Sequence, residues 1–195
     1  MRGLIRQFDA LLRRIEGVFE FCDDPNCLLR LQLAKARHPL HLEDLEVPKG
    51  TPVLELHLWN EHLPPLTDEG PNLLWASRTG HLFVRSLQAV AQTLQQDSRL
   101  AGVRAVGGYT ALLAKERLGG VNLMRRLGFQ VMPYGSSLGR FGEFWENLYS
   151  WWLIWAFNQP SLRQRKLLDL QRAEIWMSVE EFLRRYSVSP DDTPH

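Results

Sequence analysis

The stretch from Leu54 to Pro65 reads LELHLWNEHLPP. Its first half alternates apolar with polar residues at period two. Leu54, Leu56 and Leu58 therefore line one face of a strand, while Glu55, His57 and Trp59 share the other. The leucine face belongs to a core. The other face has two readings. Covered by protein, it obliges Glu55 and His57 to find partners and shifts both pKa values, which makes a candidate site. Open to water, it needs no explanation. Asn60, Glu61 and His62 then gather ahead of Pro64 and Pro65, where the chain turns. A strand over residues 53–59, in the interior of a sheet, is the expectation on which the rest is built.

Upstream, Leu29, Leu31 and Leu33 alternate with Arg30 and Gln32 and predict a strand over residues 28–37, which His38-Pro39 breaks. Residues 41–47 read as an irregular connection and Pro48-Lys49-Gly50 as a turn, so the two strands are expected to pair antiparallel. In CDDPNC, residues 22–27, the Asp-Pro-Asn run is turn chemistry that can bring Cys22 and Cys27 together. Two reduced thiols are expected there, with a disulfide as the alternative. Structural zinc needs four ligands, and no second Cys/His pair has suitable spacing. Leu4, Ile5, Phe8, Leu11, Leu12, Ile15, Val18 and Phe19 recur at helical spacing opposite Arg2, Arg6, Asp9, Arg13 and Glu16. This predicts an amphipathic helix packed against the domain.

Downstream, Leu73, Leu74, Ser77, Val84, Leu87, Ala91 and Leu94 follow the helical period and predict a long helix over residues 71–96. Gly80 is expected to mark close packing and His81 to sit at the core edge. Residues 103–109 read as a short strand whose Gly107-Gly108 pair admits another backbone or a ligand. Residues 112–118 and 121–127 look helical on either side of Gly119-Gly120, Gly128 holds the place of a helix-ending glycine, and residues 129–134 form the next strand. Helix, strand, helix, strand demands a crossover and hence a partly parallel sheet. Phe144, Leu148, Trp151, Trp152 and Trp155 make an aromatic stripe on a helix too short to span a bilayer, and a basic helix follows in SLRQRKLLDLQR. AEIWMS reads as a last strand. Ser178-Val-Glu-Glu181 is a capping box that starts a helix over residues 179–186.

The chain has 195 residues and no long polar linker, which predicts one domain over residues 1–186 with a disordered tail at 187–195. Apolar residues at 45% and charged residues at 23% place it among soluble globular proteins. The 23 basic and 22 acidic side chains leave a formal charge of +1, too little to gather nucleic acid, so no specific nucleic-acid partner is expected. Charge interrupts the apolar residues of the N-terminus, so no signal peptide is read and a cytoplasmic location is the default. The fold class is α/β: a mixed central sheet flanked by helices, with a helical, tryptophan-rich C-terminal extension.

Glu55, His57, Glu61 and His62 are the catalytic candidates, and His57, Trp59, Asn60, Tyr109 and Asn122 the ligand-binding ones. No HExxH helix or other strong ligand spacing is present, so no metal is expected. Arg163, Arg165, Lys166 and Arg172 read as a solvated basic face interrupted by Asp169.

LELHLWNEHLP, the MRRLGFQVMPY segment and the closing EIWMSVEEFLRRY together resemble the YkoP-like domain over most of the chain. That family is a bacterial module that occurs alone or attached to polysaccharide deacetylases. The resemblance implies an accessory or binding module, and the deacetylase motifs themselves are not in this sequence. The run from the long helix through VRAVGGYT into Leu123-Met-Arg-Arg-Leu-Gly-Phe129 looks like the C-terminal half of GNAT acetyltransferases, which implies a GNAT-like outline. Those enzymes hold the acetyl-CoA pyrophosphate on a basic, glycine-containing loop that opens their central helix. Asp68, Glu69 and Pro71 stand at that place here, so no cofactor is expected and acetyl-CoA remains an alternative.

Three functions therefore compete, and whether the chain is an enzyme stays open. The leading one is a binding module that holds a small molecule or protein near residues 53–62. The second is an acyl-CoA-dependent N-acyltransferase in which Glu55 or Glu61 is general base and His57 or His62 positions the acceptor. The third is a peripheral membrane protein that touches the surface through Trp151, Trp152 and Trp155.

Overall fold

The turn at Pro48–Gly50 folds one strand back on another and starts the sheet. Gly50 N–H donates to the Ala36 carbonyl at 2.8 Å and Thr51 N–H to that of Pro48 at 3.2 Å. The computed structural model describes residues 17–65, 72–110, 119–133 and 173–187. In chain order these form β1 (Val18–Phe19), β2 (Leu29–Lys35), β3 (Leu40–His41), β4 (Glu46–Val47), β5 (Pro52–Leu58), α1 (Leu73–Gln96), β6 (Ala105–Thr110), α2 (Gly119–Arg126), β7 (Gln130–Pro133), β8 (Ala173–Ser178) and α3 (Val179–Tyr186). β3 and β4 pair as a separate ribbon, and the other six strands form one mixed sheet in the order β1, β2, β5, β6, β8, β7.

β2 and β5 pair antiparallel from Leu29↔Leu58 to Lys35↔Pro52, which sets leucine opposite leucine on one face. β5 and β6 are parallel, and the 24-residue α1 lies in the crossover that a parallel pair requires. β8 then enters between β6 and β7, antiparallel to both. On the leucine face, Leu87, Val90 and Ala91 of α1 and Phe182 and Tyr186 of α3 pack with Leu31, Leu54, Val106, Ile175 and Met177. Fully burying side chains of this kind contributes ~1.5–3 kcal/mol each, so this layer is the main source of stability.

Two glycines and one serine fix the local geometry. At Gly107 a Cβ would lie 1.9 Å from the Ile175 carbonyl and 2.7 Å from the Trp176 ring, so only glycine lets β8 and the indole lie this close. Gly128 ends α2 at φ +90°. Its N–H meets the Arg125 carbonyl and the Phe129 N–H that of Met124, the paired bonds of a Schellman cap. Ser178 closes β8 and opens α3, its hydroxyl accepting from the Glu181 N–H at 3.2 Å, as the capping box predicts.

Several expectations change. Val18 and Phe19 lie in a strand at the sheet edge rather than a helix, paired with Gln32 and Leu31. Residues 40–47 form the β3–β4 ribbon rather than an irregular connection, with Leu40 and Val47 opposite each other and buried. Gly119 and Gly120 lie within α2 instead of separating two helices. Gly80 does not mark close packing: a Cβ there would meet nothing within 4 Å. The reason is that all the buried residues of α1 fall in its second half, Ser86 to Ala91. Its first half is open, with His81 exposed and Leu73 and Leu74 at 91% and 78% exposure. The expected helices over residues 4–16 and 112–118, the tryptophan stripe, the basic helix and the tail beyond residue 187 lie outside the described residues.

Candidate functional site

The second face of the sheet is covered, and it carries the polar groups. Val53, Glu55 and His57 point there from β5, opposite Ala34, Gln32 and Arg30 of β2. Through Gly107 and Tyr109 of β6 the same face continues to Trp176 and Glu174 of β8. The ribbon closes one end, where Ala36, Leu40, Leu42 and Val47 pack with Val53, Ala105 and Trp176. Ser178 bonds the Asp44 carboxylate and straps the ribbon to the sheet. Glu55 keeps 3% of its surface and Glu174 none, so two carboxylates are buried on one face.

His38 reaches Glu174 from the chain between β2 and the ribbon. Its Nε2 lies 2.9 and 3.0 Å from the two carboxylate oxygens and its Nδ1 2.9 Å from the Pro39 carbonyl. Both partners are acceptors only, so the imidazolium is the form that satisfies both. The Pro39 carbonyl and then the Glu174 carboxylate hold its pKa above the ordinary value. Trp176 Nε1–H adds a bond to Glu174 at 3.1 Å.

His57 behaves in the opposite way. Its Nε2–H donates to Gln32 Oε1 at 2.9 Å and stands 3.8 Å from Glu55 Oε2. Burial, and then the Arg37 charge, push its pKa down to about 4. The ring is neutral near pH 7, although 36% of its side-chain surface still meets solvent. Arg37 itself lies 4.5 Å from the Tyr109 ring centroid, and Tyr109 meets the Trp176 ring edge-on.

The exit of β5 forms a second group. Trp59 stacks on His62 with ring centroids 3.6 Å apart, and the Arg30 guanidinium lies 4.0 Å from the Trp59 ring centroid. Arg30 bonds Glu20 at 3.0 Å and faces Glu61 at 3.6 Å. His62 Nδ1–H donates to the Cys27 carbonyl at 2.8 Å. Asn60 opens the 3₁₀ turn that makes this exit.

The family model of the YkoP domain matches residues 4–186, nearly the whole chain. The chain belongs to the YkoP domain family. No curated protein and no solved structure matches it.

The structure brings some of the YkoP residues singled out in the sequence together and separates others. Glu55 and His57 share the covered face, with Tyr109 on the neighbouring strand β6, while Trp59, Glu61 and His62 belong to the strand exit. Asn122 is exposed on α2, whose Met124 packs on the leucine face with Leu127 just beyond the helix, so it does not join Glu55. Trp151, Trp152 and Trp155 lie outside the described residues. No described helix is long and apolar enough to cross a membrane, and among the described residues no three His, Cys, Asp or Glu side chains could hold a metal.

Gln32, Arg37, His38 and Glu174 also line this polar face of the YkoP domain, and sequence reasoning missed them as candidates. The signal for Glu174 was present: in AEIWMS, Glu174, Trp176 and Ser178 alternate with Ile175 and Met177 as Glu55 and His57 do with leucine. His38 carried no such signal, since His38-Pro39 reads as a strand breaker.

Proposed function

We propose that this YkoP domain is a binding module whose ligand enters against His57 and is held by Gln32, Glu55 and the Tyr109–Arg37 pair. One observation carries the reading: His57 is bonded into a buried polar face yet keeps 36% of its side-chain surface in solvent. With Nε2–H given to Gln32, Nδ1 presents a lone pair. Such a face suits a neutral ligand rich in hydroxyl and amide groups. The family's association with polysaccharide deacetylases makes a chito-oligosaccharide the first probe. The expected result is a saturable shift of the His57 ring resonances, weakened in His57→Gln. Unmoved His57 resonances at millimolar oligosaccharide, with the protein folded, overturn this ligand class.

A second reading, an acyl-CoA-dependent transferase, is favoured by the β5–β6 ladder. Its register covers three residue pairs and stops at Glu55↔Gly107, although both strands run on for three residues. Glu55 therefore stands where two parallel strands cease to pair, a place where open sheets take ligands, and would serve as general base. Saturable heat on titration with acetyl-CoA supports this reading, and none up to millimolar concentration removes it.

A further inference from the structure

The residues between β2 and the ribbon, Ala36 to Pro39, form a strap across the covered face. Ala36 is tied to the start of β5: its N–H donates to the Thr51 carbonyl at 2.9 Å, and its carbonyl accepts from the Gly50 N–H at 2.8 Å. Two residues on, His38 bonds Glu174 of β8, and β6 stands between β5 and β8. The strap therefore crosses two strand spacings, about 10 Å. On the way Arg37 lies over the ring of Tyr109, the β6 residue paired with Glu174. Pro39 disfavours the helical region at His38 and keeps the strap extended. Beyond it Leu40 is buried with Val53, Ala105 and Trp176.

A proton fastens this strap. His38 gives Nε2–H to the Glu174 carboxylate and Nδ1–H to the Pro39 carbonyl, and a neutral ring has only one N–H to give. Loss of the proton turns a lone pair toward one of the two acceptors. It also leaves Glu174, which has no exposed surface, with the Trp176 N–H but without the imidazolium. The His38 side chain keeps 43% of its surface in solvent, so the proton can leave without unfolding. The other charges nearby are placed as follows: Arg37 on the strap itself, Glu55 and His57 on β5, and on the ribbon His41 paired with Glu46 at 2.6 Å and Asp44 bonded to Ser178. The Pro39 carbonyl and then Glu174 outweigh burial and Arg37 and raise the His38 pKa. The strap is thus fully fastened below 6.5 and released as pH rises through the higher folded value.

We propose that the His38–Glu174 pair is a proton-operated fastening that sets Arg37 over Tyr109 and so controls the ligand site beside His57. This regulation rests on the reading of that face as a binding site. His38 is a positioning residue, since both its ring nitrogens are engaged and it acts through Arg37. Release of the strap frees Arg37 from the ring, and affinity falls about tenfold for each pH unit above the His38 value. By reciprocity, a bound ligand holds the proton on His38.

The test is NMR of the full chain titrated upward from pH 6.5, first alone and then with chito-oligosaccharide. Alone, His38 should lose its proton in a step that also shifts the Trp176 indole N–H and abolishes the nuclear Overhauser contacts between Arg37 and the Tyr109 ring. His57, neutral throughout, should keep its tautomer. Glu174→Gln should lower the pH of the His38 step and carry the loss of the Arg37 contacts down with it. With oligosaccharide at roughly ten times its dissociation constant, the wild-type step should move up by about one pH unit. Arg37–Tyr109 contacts that survive deprotonation of His38, or that are lost at an unchanged pH in the variant, would overturn the fastening. A His38 step unmoved by an oligosaccharide that binds would overturn its control of the site. Absence of binding at every pH counts against the ligand class, and the ligand-free titration then decides the strap by itself.

Discussion

Acidification should weaken this protein through His57 in a window set by its two pKa values. In the unfolded chain the ring takes up a proton as pH falls through 6.5, whereas in the folded protein it does so only near 4. Between those values the unfolded state binds more protons, so stability falls with pH and then levels off below the folded value. The full shift corresponds to an unscreened limit of ~3 kcal/mol. The ring keeps 36% of its side-chain surface in solvent, which screens the charge and reduces the effect to about 1–2 kcal/mol. The assay is urea unfolding of the wild type and His57→Gln at a series of pH values, with the difference between them isolating this one ring. The wild type should lose that amount relative to the variant on going from neutral pH to about pH 4. A difference that stays flat over the window, or grows in the wild type's favour, refutes a buried neutral imidazole at this position. It would also remove the lone pair on which the proposed ligand contact depends.

Glu174→Gln leaves the His38 imidazolium and the Trp176 N–H facing an amide. It should cost about 2–3 kcal/mol in chemical unfolding, with the gap to wild type present below pH 6.5 and narrowing as alkali passes the raised pKa of His38. Gly107→Ala places a methyl 1.9 Å from the Ile175 backbone carbonyl, which cannot swing aside, and should cost more than ~4 kcal/mol or abolish soluble expression. Gly80→Ala is the converse, a helical position with open space around it, and should raise stability by about 0.5–1 kcal/mol. Ser178→Ala removes both the α3 cap and the strap to Asp44 and should cost about 1–2 kcal/mol by urea midpoint.

The parts of this fold that were legible are those governed by neighbours in sequence. The alternation at residues 29–33 and 53–58, the turn at Pro48–Gly50, the helix-ending Gly128 and the capping box at Ser178 each involve residues at most a few positions apart, and each appears where its pattern places it. Failures follow the same logic in reverse. Val18 and Phe19 continue a helical spacing, yet pairing with β2 draws them into a strand, because tertiary partners outweigh a two-residue preference. Gly80 and His81 carry an unbroken helical pattern, but periodicity states which face is apolar and not how far along the helix the sheet extends. The covering of the Glu55 face was unreadable for a further reason. One end of it is closed by Ala36, Leu40, Leu42 and Val47, residues in a segment too short and irregular to show any period.

The composition of the site rests on where β8 enters. Glu174 and His38 are 136 residues apart in sequence, and what joins them is the insertion of the last strand between β6 and β7 rather than at an edge. Each strand displaces its neighbour by about 4.8 Å. Had β8 paired outside β7, Glu174 would stand one strand further from β5 and Trp176 would no longer lie over Gly107. The glycine therefore does more than relieve a clash. By letting Trp176 lie close over β6, it keeps the indole beside the strand while its N–H bonds Glu174. The polar character of the face and its architecture are thus a single consequence of the β6–β8 register. A substitution that shifts that register by one residue would turn Glu174 and Trp176 onto the leucine face and dismantle the site and the core together.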